Sequence, residues 1–580
     1  MADKSDVKDG FAYPSRPLSV IVVGAGISGI MMAIKLQENI TNLSLTIYDK
    51  NPELGGTWWE NRYPGCACDI PAHTYQLSFD SNRAWSTYYA SAGEILQYWK
   101  RVAEKYDVRK LMKFRHRLTH AQWNQLSSQW EVMVDDELTG FSTKQCCDVL
   151  ITAMGALNQW NWPSITGLHD FQGKLMHSAD WDSSYDLKVS TTPPYFSTMK
   201  TLAGRGSNLP QGKKVAVIGA GSSGIQIVPS IQPEVERLDH YVRGRTWIAS
   251  SLASEEIEDR GEKTGNFIYS QEEISAWQKD PTSYLDYRKR LENAIQGGFE
   301  VTAKGSQAHE QAREVFKNLM ADRLSDRPDL FENLIPSFAP FCKRLTPGPG
   351  YLESLSKENV DVTFEPIDHI SKTGIVTRDG KLREVDAIIC ATGFNTSFTN
   401  RFPIYGKDGQ KLFEKKSNDI NNLSTYLSIT VDEFPNFFMM LGPNSGLGHG
   451  NLLIILEQIA KYCAKTLSKM QRENIASMEP RKSAVHGFAR FCDEFFQGRV
   501  FSDECPSWYK TNDRVTALWP GSSLHAVQSL ENPRWEDFRY IYVNEKPTSW
   551  LGNGTTAADN DPNSDKSYYL TSLAQIQEDL

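Results

Sequence analysis

Twice along this chain a short run of strand-forming residues breaks into Gly-x-Gly-x-x-Gly and then into a helical repeat, and no other feature restricts the fold as much. The first copy follows Leu18–Val23 as Gly24-Ala25-Gly26-Ile27-Ser28-Gly29. Behind it Met31, Ile34 and Leu36 keep helical spacing, and a second strand runs from Leu43 to Tyr48. The second copy follows Lys214–Ile218 as Gly219-Ala220-Gly221-Ser222-Ser223-Gly224, with a strand ending near Val242. Strand, glycine turn, helix and strand form the βαβ unit that binds a dinucleotide. Its first glycine admits the tight turn, and its second lets the backbone approach a pyrophosphate. Its third lets helix pack on strand, while the helix N-terminus donates N–H groups to the anion. One such motif is a weak signal, but two in this context predict an α/β chain with two Rossmann-like dinucleotide-binding domains.

The residue that ends the second strand separates the two sites. Asp49 stands 20 residues after Gly29, where an acid accepts hydrogen bonds from a ribose. At 19 residues after Gly224 stands Arg243, a guanidinium suited to the 2′-phosphate of NADPH, unless Arg243 and Arg245 are simply solvated charges. Two different dinucleotide sites in one chain point to a flavin reduced by a nicotinamide, that is, to FAD at the first site and NADPH at the second.

At 580 residues the chain is long enough for two or three domains. Between the two β-rich halves the composition turns helical, over Ala276–Ile295 and Ala308–Leu324, and β-rich runs return at Val360–Phe364 and Val385–Cys390. The expected division is an FAD-binding domain from 1–165 and 388–580, an NADPH-binding domain from 166–250 and 342–387, with a helical insertion at 251–341. Ser190–Gln211 reads as a surface loop, and the stretch after Gly552 as partly ordered at best. A formal net charge of −9 argues against a nucleic-acid partner. No run of 18 apolar residues suggests a membrane span, and Met1–Pro17 lacks an apolar signal core. Nine cysteines, an odd number thinly spread, fit free thiols in a reducing, cytoplasmic setting. Cys66-Ala67-Cys68 lacks the CxxC spacing of thiol oxidoreductases and reads as packed thiols.

One further segment carries a resemblance. Phe171-Gln172-Gly173-Lys174-Leu175-Met176-His177-Ser178-Ala179-Asp180-Trp181-Asp182 matches Phe-x-Gly-x-x-x-His-x-x-x-Trp followed by Pro or Asp, the signature of type I Baeyer–Villiger monooxygenases. The run Gly55-Gly56-Thr57-Trp58-Trp59-Glu60-Asn61-Arg62-Tyr63-Pro64-Gly65, with Asp69 behind it, is similar to that family's second signature. Ala391-Thr392-Gly393-Phe394, Gly442-Pro443-Asn444-Ser445 and Trp519-Pro520-Gly521 resemble later landmarks; Ala153-Met154-Gly155 departs by carrying Met in place of Thr.

The resemblance implies FAD and NADPH as cofactors, and a small-molecule ketone and O2 as substrates. One oxygen atom would enter beside the carbonyl, through a flavin C4a-peroxide, to give an ester or lactone. It implies Arg344 and Asp69 as the catalytic pair, with Arg344 stabilising negative charge and Asp69 orienting it. Thr57, Trp58, Asp69 and Tyr75 would join Gly24, Gly26, Gly29 and Asp49 around FAD. Gln226, Lys343 and Trp519 would join Gly219, Gly221, Ser222, Ser223, Gly224 and Arg243 around NADPH. Phe171, Gly173, His177 and Trp181 would form a linker rather than a proton relay. The alternatives are a flavin N- or S-oxygenase, which needs no Arg at 344, and a non-catalytic nucleotide-binding protein.

Overall fold

The computed structural model describes residues 10–13, 15–187, 212–250, 252–261, 265–398, 401–414, 423–543 and 546–570; the loop expected at 190–211 lies outside them. Two five-stranded parallel sheets dominate. The first is ordered Phe437–Met439, Val149–Thr152, Leu18–Val23, Leu43–Asp49, Met112–Phe114. The second is ordered Val360–Thr363, Arg237–Tyr241, Lys214–Ile218, Ala387–Cys390, Lys174–His177. Strands such as Val149–Thr152 and Ala387–Cys390 are buried along their whole length, as expected where helices cover both faces of a parallel sheet.

Each sheet repeats one arrangement. The fingerprint strand is flanked by the strand that follows its helix and by a later strand that leads into a linker. In the first sheet Leu18 pairs with Leu43 and Val20 with Val149. In the second, Arg237 pairs with Lys214 and Ala387 with Val215. The expected boundary at 387/388 is therefore corrected, because it cuts the strand Ala387–Cys390, which hydrogen-bonds on both sides within the second sheet.

A further sheet of His116–Asn124, Gln129–Asp136, Ser142–Cys147 and the short Ile404–Tyr405 had not been anticipated. Between 251 and 341 the described elements are helical: Glu255–Glu258, Gln271–Lys279, Pro281–Gln296, Gln307–Arg323 and Pro328–Leu334, with a short 3-10 turn at Phe299–Thr302. The helical segment at Ala276–Ile295 spans parts of two helices, Gln271–Lys279 and Pro281–Gln296. Asp280 caps the second by accepting from the Thr282 and Ser283 amides, and Pro281 starts it. This region is anchored to the first half by His73, a buried imidazole ringed by Tyr269, Trp277, Tyr284 and Tyr287 at centroid distances of 4.8–5.5 Å.

Two further expectations change. Cys342 and Cys505, 163 residues apart, form a disulfide with Cα atoms 6.4 Å apart, so nine free thiols become seven and the compartment reading loses that support. Just beyond Gly552 the chain packs against the N-terminal segment, the Ala12 amide donating to the Thr555 carbonyl and the Asn553 amide to the Gly10 carbonyl. Among the described residues no helix is long and apolar enough to cross a membrane.

Candidate active site

Both glycine turns have the same geometry. Gly24 has φ +111° and Gly219 φ +112°, and a Cβ there would lie 2.5 Å from the Ala153 carbonyl oxygen and 2.4 Å from that of Ala391. A Cβ on Gly29 or Gly224 would meet the carbonyl of the first glycine at 2.0 or 2.1 Å. Around Gly221 there is open space, and Gly26 faces only Gly56. The helices Ile27–Asn39 and Ser222–Ile231 begin at these middle glycines with no side-chain cap, which leaves their first N–H groups free for an anion. Each turn therefore fits a bound pyrophosphate.

At the first turn Asp49 is buried and accepts from the Ala25 amide at 2.6 Å and the Asn51 amide at 2.7 Å, so it also braces the glycine turn. Burial raises its pKa, and the amide bonds hold it back. Gly55 and Gly56 bring the helix Thr57–Glu60 against Gly26. Thr57 is exposed, while Trp58 is buried and donates its indole N–H to the Tyr75 hydroxyl at 3.2 Å.

At the second turn Arg243 and Lys343, 100 positions apart, are neighbours. Lys343 donates to the Arg245 carbonyl at 3.4 Å, and its pKa is lowered by burial and by the charge of Arg243. Among the described residues neither cation forms an ion pair with a carboxylate, an arrangement a phosphate dianion would relieve. Beside them Ala220, Gly244, Thr246, Met320 and Leu334 line a small cleft, so the inserted helices pack next to the second glycine turn.

The loop 63–69 joins the halves. The Tyr63 hydroxyl donates to Gln226 Oε1 at 2.9 Å, and Gln226 Nε2 donates to the Ala67 carbonyl at 2.9 Å. Gly65, at φ +79°, lies so close to helix Ser222–Ile231 that a Cβ would sit 2.0 Å from Ser230 Oγ and 2.6 Å from the Gln226 carbonyl. Gln226 is thus a bolt between the halves, a role its expected place at NADPH did not include. Ser222 Oγ lies 3.4 Å from Thr346 Oγ1, and Ser223 reaches Tyr63.

At the end of that loop Asp69 takes Arg344 in a two-point grip, Nε to Oδ2 at 3.0 Å and Nη2 to Oδ1 at 2.7 Å. The carboxylate holds the guanidinium further above its ordinary pKa, so Arg344 is a permanent cation at the junction of the two halves. Around the pair stand Cys68, Tyr75, His449 and Tyr509, each of which feels its charge. His449 is lowered to about 4 by burial and by Arg344, and so stays neutral. Tyr509 and His449 had not been singled out, because nothing local marks them.

The signature segment lies where the linkers cross. His177 ends a strand of the second sheet and is buried; it stacks on Trp160 at 4.4 Å and lies 3.3 Å from the Thr392 hydroxyl. Trp160 bridges Phe394, so His177 touches the outgoing and the returning linker together. Burial lowers its pKa to about 4. Phe171 is buried, Gly173 is pressed on the Asp386 carbonyl, and Trp181 packs partly buried against the core. Trp519 is 3% exposed, its indole N–H donates to His525 Nδ1 at 3.0 Å and its ring rests on Phe488, so it packs in the core.

Comparison with known proteins agrees with this architecture. A family profile described as an NAD(P)-binding Rossmann-like domain matches residues 22–92. The FAD-binding monooxygenase tazF of Aspergillus terreus is 36% identical over 96% of this chain and 95% of its own length. A Baeyer–Villiger monooxygenase of Pseudomonas aeruginosa is 30% identical over 87% of this chain and 88% of its own. The closed crystal structure of cyclohexanone monooxygenase superposes with a TM-score of 0.73 at 25% identity, covering 91% of this chain and all of that one. Two fitted dinucleotide cradles, a linker signature and these relatives together place the chain in the type I Baeyer–Villiger family of FAD- and NADPH-dependent monooxygenases.

Proposed function

We propose that this monooxygenase inserts one atom of O2 beside the carbonyl of a small-molecule ketone, giving an ester or lactone and water as NADPH is oxidised to NADP⁺. The observation that carries the reading is the Asp69–Arg344 pair, a fixed cation held where the two nucleotide-binding halves meet. FAD, when bound, takes a hydride from NADPH and supplies the activated oxygen.

The residues of the chain bind, orient and stabilise. The turn Gly24–Gly29, with Asp49, would hold the FAD diphosphate and ribose, and Thr57, Trp58 and Tyr75 would lie along the cofactor. Gly219–Gly224, Arg243 and Lys343 would hold NADPH. Addition of an oxygen nucleophile to a ketone turns the carbonyl oxygen into an oxyanion. A guanidinium already oriented by Asp69 meets that charge with little reorganisation. Asp69 accepts at two points, which fixes the direction of the fork and keeps Arg344 charged.

Arg344→Ala tests this directly. It should bind FAD and be reduced by NADPH, because hydride transfer builds no oxyanion. Ester or lactone formation should fall about 100–1000-fold, the cost of a lost oxyanion partner, and hydrogen peroxide should accumulate instead. Stopped-flow flavin spectra with product analysis read both steps, and unchanged ester formation would remove Arg344 from the role.

A further inference from the structure

Arg344 offers Nε and Nη2 to Asp69, and Nη1 takes no part in that pair. Tyr509 is among the side chains that feel this cation's charge. It is 0% exposed, and its hydroxyl is buried with no hydrogen-bond partner in good geometry, although it is near enough to Arg344 to feel its charge. A buried hydroxyl left unpaired is disfavoured unless something arrives to meet it.

The ring is held firmly. It packs edge-on against Trp508 at 4.7 Å and Phe501 at 6.1 Å, and its carbonyl accepts from the Thr516 and Ala517 amides. The disulfide from Cys342 to Cys505 ties the segment leading into Arg344 to the one leading into Tyr509. The segments carrying Arg344 and Tyr509 are thereby braced by covalent and packing contacts.

We propose that the Tyr509 hydroxyl is a second hydrogen-bond donor, beside Arg344, to the carbonyl oxygen of the ketone and to the oxyanion that forms from it. The role rests on the ketone-oxidising reading above. Burial pushes this phenol up to about 12 against the pull of Arg344, so its proton is in place at every working pH. A buried neutral donor close to a fixed cation is the combination that stabilises a developing oxyanion.

The test uses the full-length holoenzyme and Tyr509→Phe, which removes one oxygen and keeps the packing. A panel from cyclohexanone to polycyclic aryl ketones first identifies the one converted best, which is then prepared with a 13C-labelled carbonyl. In Tyr509→Phe, flavin content, melting temperature and the rate of flavin reduction by NADPH should match wild type. Turnover of that ketone should fall on the order of 100-fold, with peroxide formed in its place. The carbonyl stretch of the labelled ketone, bound to the oxidised holoenzyme, should move to higher wavenumber as a hydrogen bond is lost. Wild-type conversion with an unchanged stretch and turnover in the variant would overturn the Tyr509 role alone. A wild-type enzyme that converts no ketone in the panel would overturn the reaction reading and this role with it.

Discussion

Arg243 and Lys343 show how a residue's meaning depends on what stands across from it. Arg243 is an exposed cation at a strand end, and only the approach of Lys343 from 100 positions away makes the pair a candidate anion site. Arg243→Ala should therefore raise the Michaelis constant for NADPH and leave that for NADH nearly unchanged. The loss should be about 1.5–3 kcal/mol, the range for hydrogen bonds to a charged group. Steady-state kinetics with both coenzymes checks this, and equal loss for the two would assign Arg243 to folding. The strand-end position of Arg243 was legible from spacing, because βαβ geometry is local. Lys343 and the Asp69–Arg344 pair were legible only through family resemblance, because Asp69 and Arg344 are 275 positions apart. The contact of Trp519 with His525 was not legible either, because a tryptophan in a Pro/Gly turn looks alike in sequence whatever it packs against.

Among the elements, both Gly-x-Gly-x-x-Gly turns were placed almost to the residue, since turn, strand and helix are fixed by neighbours in sequence. The break at Asp280-Pro281 was also written there as an N-cap followed by proline at the first helical position, and the apolar periodicity on either side hid it. The sheet through Gln129–Asp136 alternates buried and half-buried residues and was readable from Trp130, Val132 and Val134. What no local pattern could give is the joint between loop 63–69 and helix Ser222–Ile231. There Gly65 is required by its positive φ and by Ser230 behind it. Gly65→Ala should cost about 1–3 kcal/mol through overpacking, read as a lower melting temperature. It should also release more peroxide per NADPH, because the joint carries the loop that ends in Asp69. A variant as stable and as tightly coupled as wild type would mean that the joint yields without consequence.

For the whole molecule, burial of neutral histidines sets the response to acid. His177, His240 and His449 are lowered to about 4 and His73 to about 3, each chiefly by burial, from an ordinary value of 6.5. On unfolding, these rings take up protons that the folded state refuses. Their contribution to stability is complete above about pH 6.5 and is lost progressively as pH falls towards about 4. The melting temperature should hold near neutrality and drop through that window; a flat profile from pH 7 to 4.5 would show that the histidines are protonated in the folded protein. The same assembly that buries these rings brings two dinucleotide cradles, a crossing of linkers at His177 and the Arg344 cation into one enzyme.

The most direct measurement is the fate of oxygen. The holoenzyme would be supplied with NADPH and 18O2 and offered a ketone panel, and the products read by mass spectrometry. The account predicts an ester or lactone carrying one heavy atom at the inserted position and an unlabelled carbonyl oxygen. Heavy oxygen found only on nitrogen or sulfur of added amines and sulfides, with no ketone converted, would contradict it.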